Sequence, residues 1–320
     1  MYSYRCAQWL LFFYIYCFIG WVFETTYVSI KKKRFVNRGF LRAPLLPIYG
    51  TGAIVMLWAT MPVKDSLILT WLVGAVSATV LEYVVGICME ALFKVKYWDY
   101  SNQKFNFQGI ICLSSTIAWG FLTLLLTRVI HRPIEEWVMG LPDLALGMIT
   151  GGVSSIFVLD TIVSVRAALD LRKMLEGMTR IRAELEAMQV QLSLAKMETM
   201  AQVEGLKENW ESQKQKLLAA GERLGNWLTE LGVPTKEQID ELKELLPDYS
   251  ALVDKLKDKA AEYNRIVGRM GFFKAGLLKR NPGARSEKFS QALSELQKRI
   301  IDHINGYDDI KDREDDGQNE

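Results

Sequence analysis

The sequence contains few of the residues that build metal centres and disulfide frameworks. Of its 320 residues only two are histidine, His131 and His303, and four are cysteine, with no Cys-x-x-Cys pair. We therefore exclude a structural zinc site and a disulfide framework, and we predict no metal and no cofactor. We expect reduced, buried thiols, because all four cysteines lie in or beside apolar segments: Cys6, Cys17, Cys88 and Cys112.

Motifs for nucleotide hydrolysis and for common catalytic sites are also absent. The chain has no Gly-x4-Gly-Lys-Ser/Thr, Gly-x-Gly-x-x-Gly, Gly-x-Ser-x-Gly or His-Glu-x-x-His. Its net charge of +2 gives no reason to expect a nucleic-acid partner. We predict that the chain is not an enzyme, so any ATP hydrolysis must come from another chain.

Charge and hydropathy divide the chain into two halves. Residues 1–166 carry 14 Lys and Arg and 9 Asp and Glu, mostly between long apolar runs, whereas residues 167–320 carry 25 and 28 in a dense mixture. This division excludes one uniform soluble globule. We expect an all-α, polytopic membrane protein, with a transmembrane domain at 1–166 and a cytoplasmic, coiled-coil and helical C-terminal half.

Five apolar runs are long enough to cross a bilayer, which takes about 20 residues. They lie at roughly 7–29, 44–61, 66–93, 108–129 and 143–165. Basic residues, which stay on the cytoplasmic side, are concentrated in the first and third loops and after the fifth run. An odd number of spans puts all three segments on one side. We therefore predict a multi-pass plasma membrane protein with its N-terminus outside and its C-terminus in the cytoplasm.

Four carboxylates inside these runs are the sharpest functional signal: Glu24, Glu82, Glu90 and Asp160. A charge near the bilayer centre costs at least about 2.5–3.5 kcal/mol on insertion scales, so it usually faces a bundle interior or a wet cavity. We hypothesise a polar pocket between the first, third and fifth helices, open to the cytoplasm. The alternative is that Glu24 and Glu90 reach the interface and pair with nearby Lys and Arg.

The loop at 94–109 combines aromatic and polar residues. Such a segment is costly in lipid unless protein or water covers it. We expect it either to fold over the pocket as a lid or to form an ordinary interfacial loop anchored by Trp98 and Tyr100.

An ordered set of motifs in the first half is similar to a known bacterial family. The motifs are Asn37-Arg-Gly-Phe-Leu-Arg-Ala-Pro-Leu-Leu-Pro-Ile-Tyr-Gly50, Leu81-Glu-Tyr, Met89-Glu-Ala-Leu-Phe93, Tyr97-Trp-Asp-Tyr-Ser101 and Phe107-Gln-Gly-Ile-Ile-Cys-Leu113. Together they resemble the ABC-transporter type IV membrane proteins over roughly residues 5–166. The resemblance implies a transporter permease.

The resemblance also implies functional residues within these motifs, which are Asn37, Arg38, Gly39, Pro44, Pro47, Tyr49, Gly50, Glu82, Glu90, Trp98, Asp99, Tyr100 and Gly109. Three positions depart from the family pattern: Arg42 replaces an aromatic residue, Leu46 a cysteine and Ile110 an arginine. An anion-binding role for that arginine is therefore not implied here. The candidate ligand-binding residues from both arguments are Glu24, Glu82, Glu90, Asp160, Asn37, Arg38, Tyr49, Trp98, Asp99 and Tyr100.

Residues 167–233 predict a long cytoplasmic helix, ended by Gly232-Val-Pro234. Its apolar residues step by four and three, as in a coiled coil: Met174, Met178, Ile181, Leu185, Met188, Leu192 and Ala195. Because one amphipathic helix cannot bury its own stripe, it needs a partner. The partner is either a second copy, which gives a homo-oligomer through 167–231, or the later helices folded back.

Residues 234–306 predict further helices, opened by the capping box Thr235-Lys-Glu-Gln238. The basic, aromatic stretch 265–280 contains no acid and suits an anionic membrane surface; the alternative is packing on the coiled coil. Its candidate membrane-binding residues are Arg265, Arg269, Phe272, Phe273, Lys274, Lys279 and Arg280. Residues 307–320 predict a disordered acidic tail.

Two functions are consistent with these features. The first is a membrane component of a transport system that binds a cation or a polar, amine-bearing solute at the intramembrane carboxylates. Its partners are the lipid bilayer and a separate ATP-hydrolysing subunit. The alternative is a membrane-anchored coiled-coil scaffold or sensor that recruits or dimerises partners. A membrane-embedded enzyme using Glu82 or Asp99 as acid or base is a third hypothesis, which no recognisable nucleophile and base support.

Overall fold

The computed structural model describes residues 4–204 and 250–302, without the side chains of 195–204 and 250. The described chain is mostly helical. The predicted helix end at Gly232-Val-Pro234, the capping box at 235–238 and the acidic tail at 307–320 lie outside the described residues.

Four helical segments of the described chain are long and apolar enough to cross a membrane. The first two are α1, Cys6–Lys32, and α3, Leu67–Phe93. The third is continuous and consists of α4, Leu113–Leu125, a π-helical turn, Leu126–Ile130, and α5, His131–Met139. The fourth is the first part of α6, Asp143–Glu204.

The remaining apolar helix, α2, is shorter. It spans Pro47–Thr60 and continues as one 3-10 turn, Met61–Val63. At 1.5 Å per residue the two together extend roughly 25 Å, against about 30 Å for the hydrocarbon core of a bilayer. A fifth crossing at this position therefore stays a prediction.

Local sequence explains where several helices begin and end. α2 begins at Pro47, whose missing N–H is not needed in the first turn of a helix. Ser66 caps α3 by accepting a hydrogen bond from the Leu69 backbone N–H at 3.4 Å. Lys33 and Lys94 follow α1 and α3 in the left-handed conformation that ends many helices, with φ of 52° and 57°.

Glycines allow the membrane-half helices to pack closely. A Cβ on Gly50 of α2 would lie 2.6 Å from the Phe13 carbonyl oxygen of α1, and one on Gly74 of α3 would overlap Thr123 of α4. The core beside these contacts contains Leu11, Phe12, Tyr16, Ala53, Met56, Leu57, Ala78, Leu126, Val138 and Leu146. A row of apolar residues on α3 is exposed instead, as expected of a lipid-facing surface: Val76, Val80 and Val84.

A short hairpin interrupts the loop between α3 and α4. β1, Asn106–Phe107, pairs antiparallel with β2, Ile111–Cys112. Gln108 and Gly109 connect the strands with positive φ of 54° and 68°. A Cβ on Gly109 would lie 2.7 Å from a carboxylate oxygen of Asp99, so glycine suits this position on both counts.

The chain divides into two compact units. One consists of Met1–Arg172 and Phe272–Lys288, and the other of Lys173–Gly271 and Phe289–Glu320. The boundary at residue 172 falls inside α6, which continues without a break past the position where the sequence changes from apolar to charged.

In the second unit, part of the predicted seam packs on a later helix of the same chain. Ile181 and Leu185 of α6 form a buried cluster with Leu256 and Ala260 of α7, Ser250–Gly268. This contact corresponds to the folded-back alternative. A homo-oligomer through 167–231 stays a prediction, because residues 205–231 of this segment lie outside the described residues.

The first unit includes a segment from the C-terminal half. Residues 272–288 consist of α8, Phe272–Arg280, and the turn that follows it. The backbones of Lys96 and Arg285 exchange two hydrogen bonds of 2.7 and 2.9 Å, and Ser286 Oγ donates to the Lys94 carbonyl at 2.6 Å. This long-range contact was not predicted from the sequence.

Candidate functional site

A cavity of about 240 Å³ lies among α1, α2, α3 and α4 and the loops that follow α1 and α3. Its walls are mostly aromatic and aliphatic, and its charged groups are two carboxylates and one guanidinium. The residues that define its chemistry are Glu24, Arg38, Tyr49, Glu82, Tyr100 and Trp119.

Glu82 is the most buried charged group of the cavity, with 4% of its surface exposed. Its Oε1 accepts a hydrogen bond from the Tyr100 hydroxyl at 3.1 Å. Its Oε2 accepts from Trp119 Nε1 at 2.9 Å and from Ser115 Oγ at 3.4 Å. Because an unpaired buried carboxylate is costly, these three donors stabilise Glu82 in the middle of an apolar helix.

Glu24 forms the second carboxylate of the cavity. The Tyr49 hydroxyl donates to Glu24 Oε1 at 2.8 Å, and Arg38 Nε lies 3.7 Å from Glu24 Oε2. Gly20, one turn earlier on α1, leaves room for the Tyr49 ring, which a Cβ at this position would overlap. A glycine in α1 therefore allows Tyr49 of α2 to reach Glu24.

Arg38 connects the cavity to the turn after α8. Its Nη1 donates to Asn281 Oδ1 at 2.8 Å, and its Nη2 donates to the Tyr97 carbonyl at 3.2 Å. Asn281, which is 2% exposed, donates in turn to the Gly39 carbonyl at 3.0 Å. Gly39 has a φ of 136°, a conformation that few other residues adopt. One wall of the cavity thus comes from residue 281.

The loop after α3 folds back onto Glu82. The Tyr100 backbone N–H donates to the Gly109 carbonyl at 2.7 Å, and Trp98 Nε1 donates to the Ile110 carbonyl at 3.0 Å. Burial raises the pKa of the Tyr100 hydroxyl, and the nearby charge of Glu82 raises it further. Tyr100 therefore remains a hydrogen-bond donor to Glu82. Movement of this loop as a lid stays a prediction.

Two of the predicted carboxylates lie outside the cavity. Glu90 Oε1 lies 3.8 Å from Lys96 Nζ, which corresponds to the alternative of pairing with a nearby basic residue. Asp160 Oδ2 accepts hydrogen bonds from the backbone N–H groups of Arg42 and Ala43 at 2.8 and 2.7 Å. The cavity lies among α1 to α4, and the loop after α1 already contacts the Asp160 carboxylate. A pocket between the first, third and fifth spans stays a prediction.

Asn37 and Asp99 hold loops rather than line the cavity. Asn37 accepts a hydrogen bond from Trp21 Nε1 at 2.7 Å and donates to the Arg42 carbonyl at 3.1 Å. Asp99 accepts from the Ser101 backbone N–H at 2.9 Å and from Arg285 Nη1 at 2.8 Å. Burial acts to raise the pKa of Asp99, but the hydrogen bonds from Ser101 and Arg285 outweigh it and hold the pKa below its usual value.

The structure thus brings six of the ten candidate ligand-binding residues to one cavity. It also places in the lining, or in contact with Glu82, three hydrogen-bonding side chains that were not selected from the sequence. The six are Glu24, Arg38, Tyr49, Glu82, Trp98 and Tyr100. The added ones are Ser115, Trp119 and Asn281. Ser115 and Trp119 are four residues apart and share a helix face, which is a signal the sequence contains. Asn281 follows a basic stretch that suggests no contact with the membrane half.

Most of the sequence of the first unit is similar to a known protein family. Residues 11–165 match the family described as "Putative ABC-transporter type IV". The resemblance drawn from the motifs is confirmed over this segment. The match includes every residue that lines the cavity except Asn281. The apolar helices indicate a membrane protein, and the description of the matched family refers to transport. No curated protein and no solved structure is significantly similar to the chain.

The basic stretch 265–280 follows the family-matching segment and divides between the two units. Arg265 and Arg269 belong to the second unit, whereas Phe272 and Phe273 belong to the first and are 74% and 44% exposed. The Arg42 guanidinium lies 5.3 and 4.7 Å from the centroids of these two rings. Binding of the stretch to a membrane surface stays a prediction.

Arg280, at the end of α8, is less exposed than these phenylalanines. Its Nη2 donates to the Phe40 carbonyl at 3.3 Å. Burial lowers the pKa of its guanidinium, and the charge of Asp160 acts in the opposite direction. Arg280 therefore contributes to the contact between α8 and the membrane half.

Proposed function

We propose that this chain is a membrane component of a transport system and that Glu24 and Glu82 bind a cation or a polar, amine-bearing solute in the cavity. The observation that carries the proposal is that Glu82, in the middle of an apolar helix, is buried beside a cavity lined by aromatic residues. Intramembrane carboxylates of this kind usually mark solute or ion pathways. The family match supports the transport context.

We further propose a bacterial plasma membrane location with five spans, an external N-terminus and a cytoplasmic C-terminus. The distribution of basic residues supports this arrangement. It requires Pro47–Val63 to cross the bilayer, which a short helix does by local thinning of the membrane. We also propose that the chain is not an enzyme and that a separate ATP-hydrolysing subunit supplies the energy for transport.

Affinity purification from the native membrane after mild cross-linking tests this proposal. The tagged full-length chain is recovered, and co-purifying chains are identified by mass spectrometry. We expect an ATP-hydrolysing subunit in a defined ratio. Recovery of only self-copies or soluble partners, bound through residues 167–320, would contradict the transport assignment and favour a scaffold or sensor.

The scaffold alternative assigns partner recruitment to the second unit, in which α6 and α7 share a buried apolar cluster. Deleting residues 167–320 is a poor test of it, because the deletion also removes Asn281 from the cavity wall. Ile181→Asp is sharper, since Ile181 is fully buried in the second unit and far in sequence from the cavity residues. A scaffold loses partner recruitment in this variant and is unaffected by Glu82→Gln, whereas a transport component shows the opposite pattern.

A further inference from the structure

Both carboxylates of the cavity already accept hydrogen bonds from the protein. Glu82 accepts one on Oε1 and two on Oε2, and Glu24 accepts one from Tyr49 on Oε1. Each carboxylate oxygen accepts about two hydrogen bonds, so the protein's own donors occupy about three of four sites on Glu82 and one of four on Glu24. At Glu82 a ligand therefore gains more from the negative charge than from new hydrogen bonds.

Aromatic rings surround the two carboxylates. The Tyr49 and Trp119 ring centroids are 5.8 Å apart, and their planes are inclined at 58°. Trp98 and Tyr100 line the same cavity from the loop after α3. Aromatic faces attract cations within about 6 Å of the ring centroid. Like Glu82, whose hydrogen-bonding sites are mostly occupied, they attract positive charge without requiring an N–H group on the ligand.

Arg38 contributes the one guanidinium of the cavity lining, and this group already has partners within the protein. Arg38 donates to Asn281 and to the Tyr97 carbonyl, and it lies 3.7 Å from Glu24. It therefore offsets the charge of Glu24. Within the described ranges, no basic side chain lies within salt-bridge distance of Glu82, whose hydrogen-bond donors are all neutral. The uncompensated negative charge of the cavity is thus that of Glu82.

We propose that the cavity binds a methylated ammonium group of the kind found in choline, a step that rests on the proposed function and specifies its solute. The positive charge faces Glu82, and the methyl groups contact the rings of Tyr49, Trp98, Tyr100 and Trp119. A bare metal ion fits less well, because it needs several oxygen ligands in place of its water. Among the side chains that the structure describes, no three of His, Cys, Asp or Glu are grouped to hold one.

Binding of choline and of its neutral analogue to the purified full-length chain tests this assignment. The analogue, 3,3-dimethylbutan-1-ol, has the same shape without the charge, and titration calorimetry in detergent measures both. We expect choline to bind at least about tenfold more tightly than the analogue, which corresponds to about 1.4 kcal/mol. Equal affinity for the two compounds would overturn the proposal.

Matched variants locate the site. Glu82→Gln is expected to weaken choline binding at least about tenfold, whereas Glu90→Gln makes the same chemical change outside the cavity and leaves binding unaltered. Tyr100→Leu removes one ring and is expected to weaken binding about threefold to tenfold, while Tyr100→Phe keeps the ring and most of the affinity. Size-exclusion chromatography and circular dichroism establish that each variant is folded. Equal effects of the two glutamine substitutions would place the site elsewhere and overturn the proposal.

Failure of the ligand assignment is distinguishable from failure of the proposed function. If choline does not bind but potassium or methylamine binds in a manner that depends on Glu82, the ligand class is wrong and the cation site stands. If none of these cations binds, both the ligand class and the cation site are wrong.

Discussion

At the scale of single residues, Asp160 has the contacts of a structural group rather than of a ligand. Its Oδ2 accepts hydrogen bonds from two successive backbone N–H groups, those of Arg42 and Ala43. Its Oδ1 lies 3.4 Å from Ser164 Oγ, one turn along α6. The carboxylate therefore fixes the loop after α1 onto α6, and this loop contributes Arg38 and Gly39 to the cavity.

Asp160→Ala is predicted to lower the free energy of unfolding by about 1–3 kcal/mol, because it leaves backbone donors without their charged acceptor. Thermal unfolding of the purified variant in detergent checks this, with Asp170→Ala as the control because Asp170 lies exposed on the same helix. An unchanged midpoint for Asp160→Ala would contradict the structural role.

For the four intramembrane carboxylates, the sequence predicts the need for polar partners but not which partners they have. The cost of a charge in lipid correctly indicated that each needs polar surroundings. The identity of those surroundings was not predictable, because the partner of Asp160 comes from a loop 118 residues earlier, and Ser115 and Trp119 reach Glu82 from the next helix. Tertiary packing, which the local pattern does not contain, decides which carboxylate faces a cavity.

At the scale of helices, two glycines of α2 differ in what surrounds them. A Cβ on Gly50 would lie 2.6 Å from the Phe13 carbonyl oxygen and would overlap Cys17 Sγ. A Cβ on Gly52 would meet nothing closer than the Leu81 side chain at 3.8 Å, an ordinary contact distance. Of these two glycines, Gly50 is therefore the one whose missing side chain allows α2 to approach α1 this closely.

Gly50→Ala is predicted to cost about 1–3 kcal/mol, because the added methyl group meets the rigid backbone of α1. Gly52→Ala is the matched control and is expected to be neutral or slightly stabilising, since alanine favours the helix over glycine. The difference between the two thermal midpoints is the measured quantity. Equal midpoints for the two variants would refute this account of the helix contact.

The buried amide of Asn281 is one of the contacts that hold the turn after α8 on the membrane half. Asn281 accepts from Arg38 at 2.8 Å and donates to the Gly39 and Leu277 carbonyls, both at 3.0 Å. Asn281→Ala is predicted to loosen this attachment and to speed backbone hydrogen exchange in residues 277–286 and 38–41. Lys279→Ala, at an exposed neighbouring position, is the control. Unchanged exchange in Asn281→Ala would show that the other contacts suffice.

Helix positions were predicted better than helix connections. The apolar runs at 7–29 and 66–93 correspond closely to α1, Cys6–Lys32, and α3, Leu67–Phe93. The continuity of α6 across residue 166 was not predicted, because the change from apolar to charged residues marks a change of solvent and not a break in the backbone. The docking of 272–288 is a contact between distant segments and has no local signature.

At the scale of the whole molecule, the proposed topology depends on whether α2 and its 3-10 turn cross the membrane. With five spans, the loops around Lys32 and Lys104 share the cytoplasmic side and the loop at Asp65 is external. If Pro47–Val63 does not cross, Lys32 and Asp65 share one side and Lys104 lies on the other.

Single cysteines at these three exposed positions, in a chain without native cysteine, distinguish the two arrangements. Intact cells are treated with a thiol reagent that does not cross membranes. We predict labelling of Asp65→Cys and protection of Lys32→Cys and Lys104→Cys until the cells are lysed. Labelling of both Lys32→Cys and Asp65→Cys in intact cells would contradict the five-span arrangement.

Binding of a cation by the cavity is the central claim, and equilibrium titration of the full-length protein in lipid nanodiscs with potassium, methylamine and choline tests it most directly. The account predicts that at least one of these cations binds, that Glu82→Gln weakens its binding at least about tenfold, and that Glu90→Gln does not. Absence of binding, or equal loss in the two variants, would contradict a cation site at Glu82.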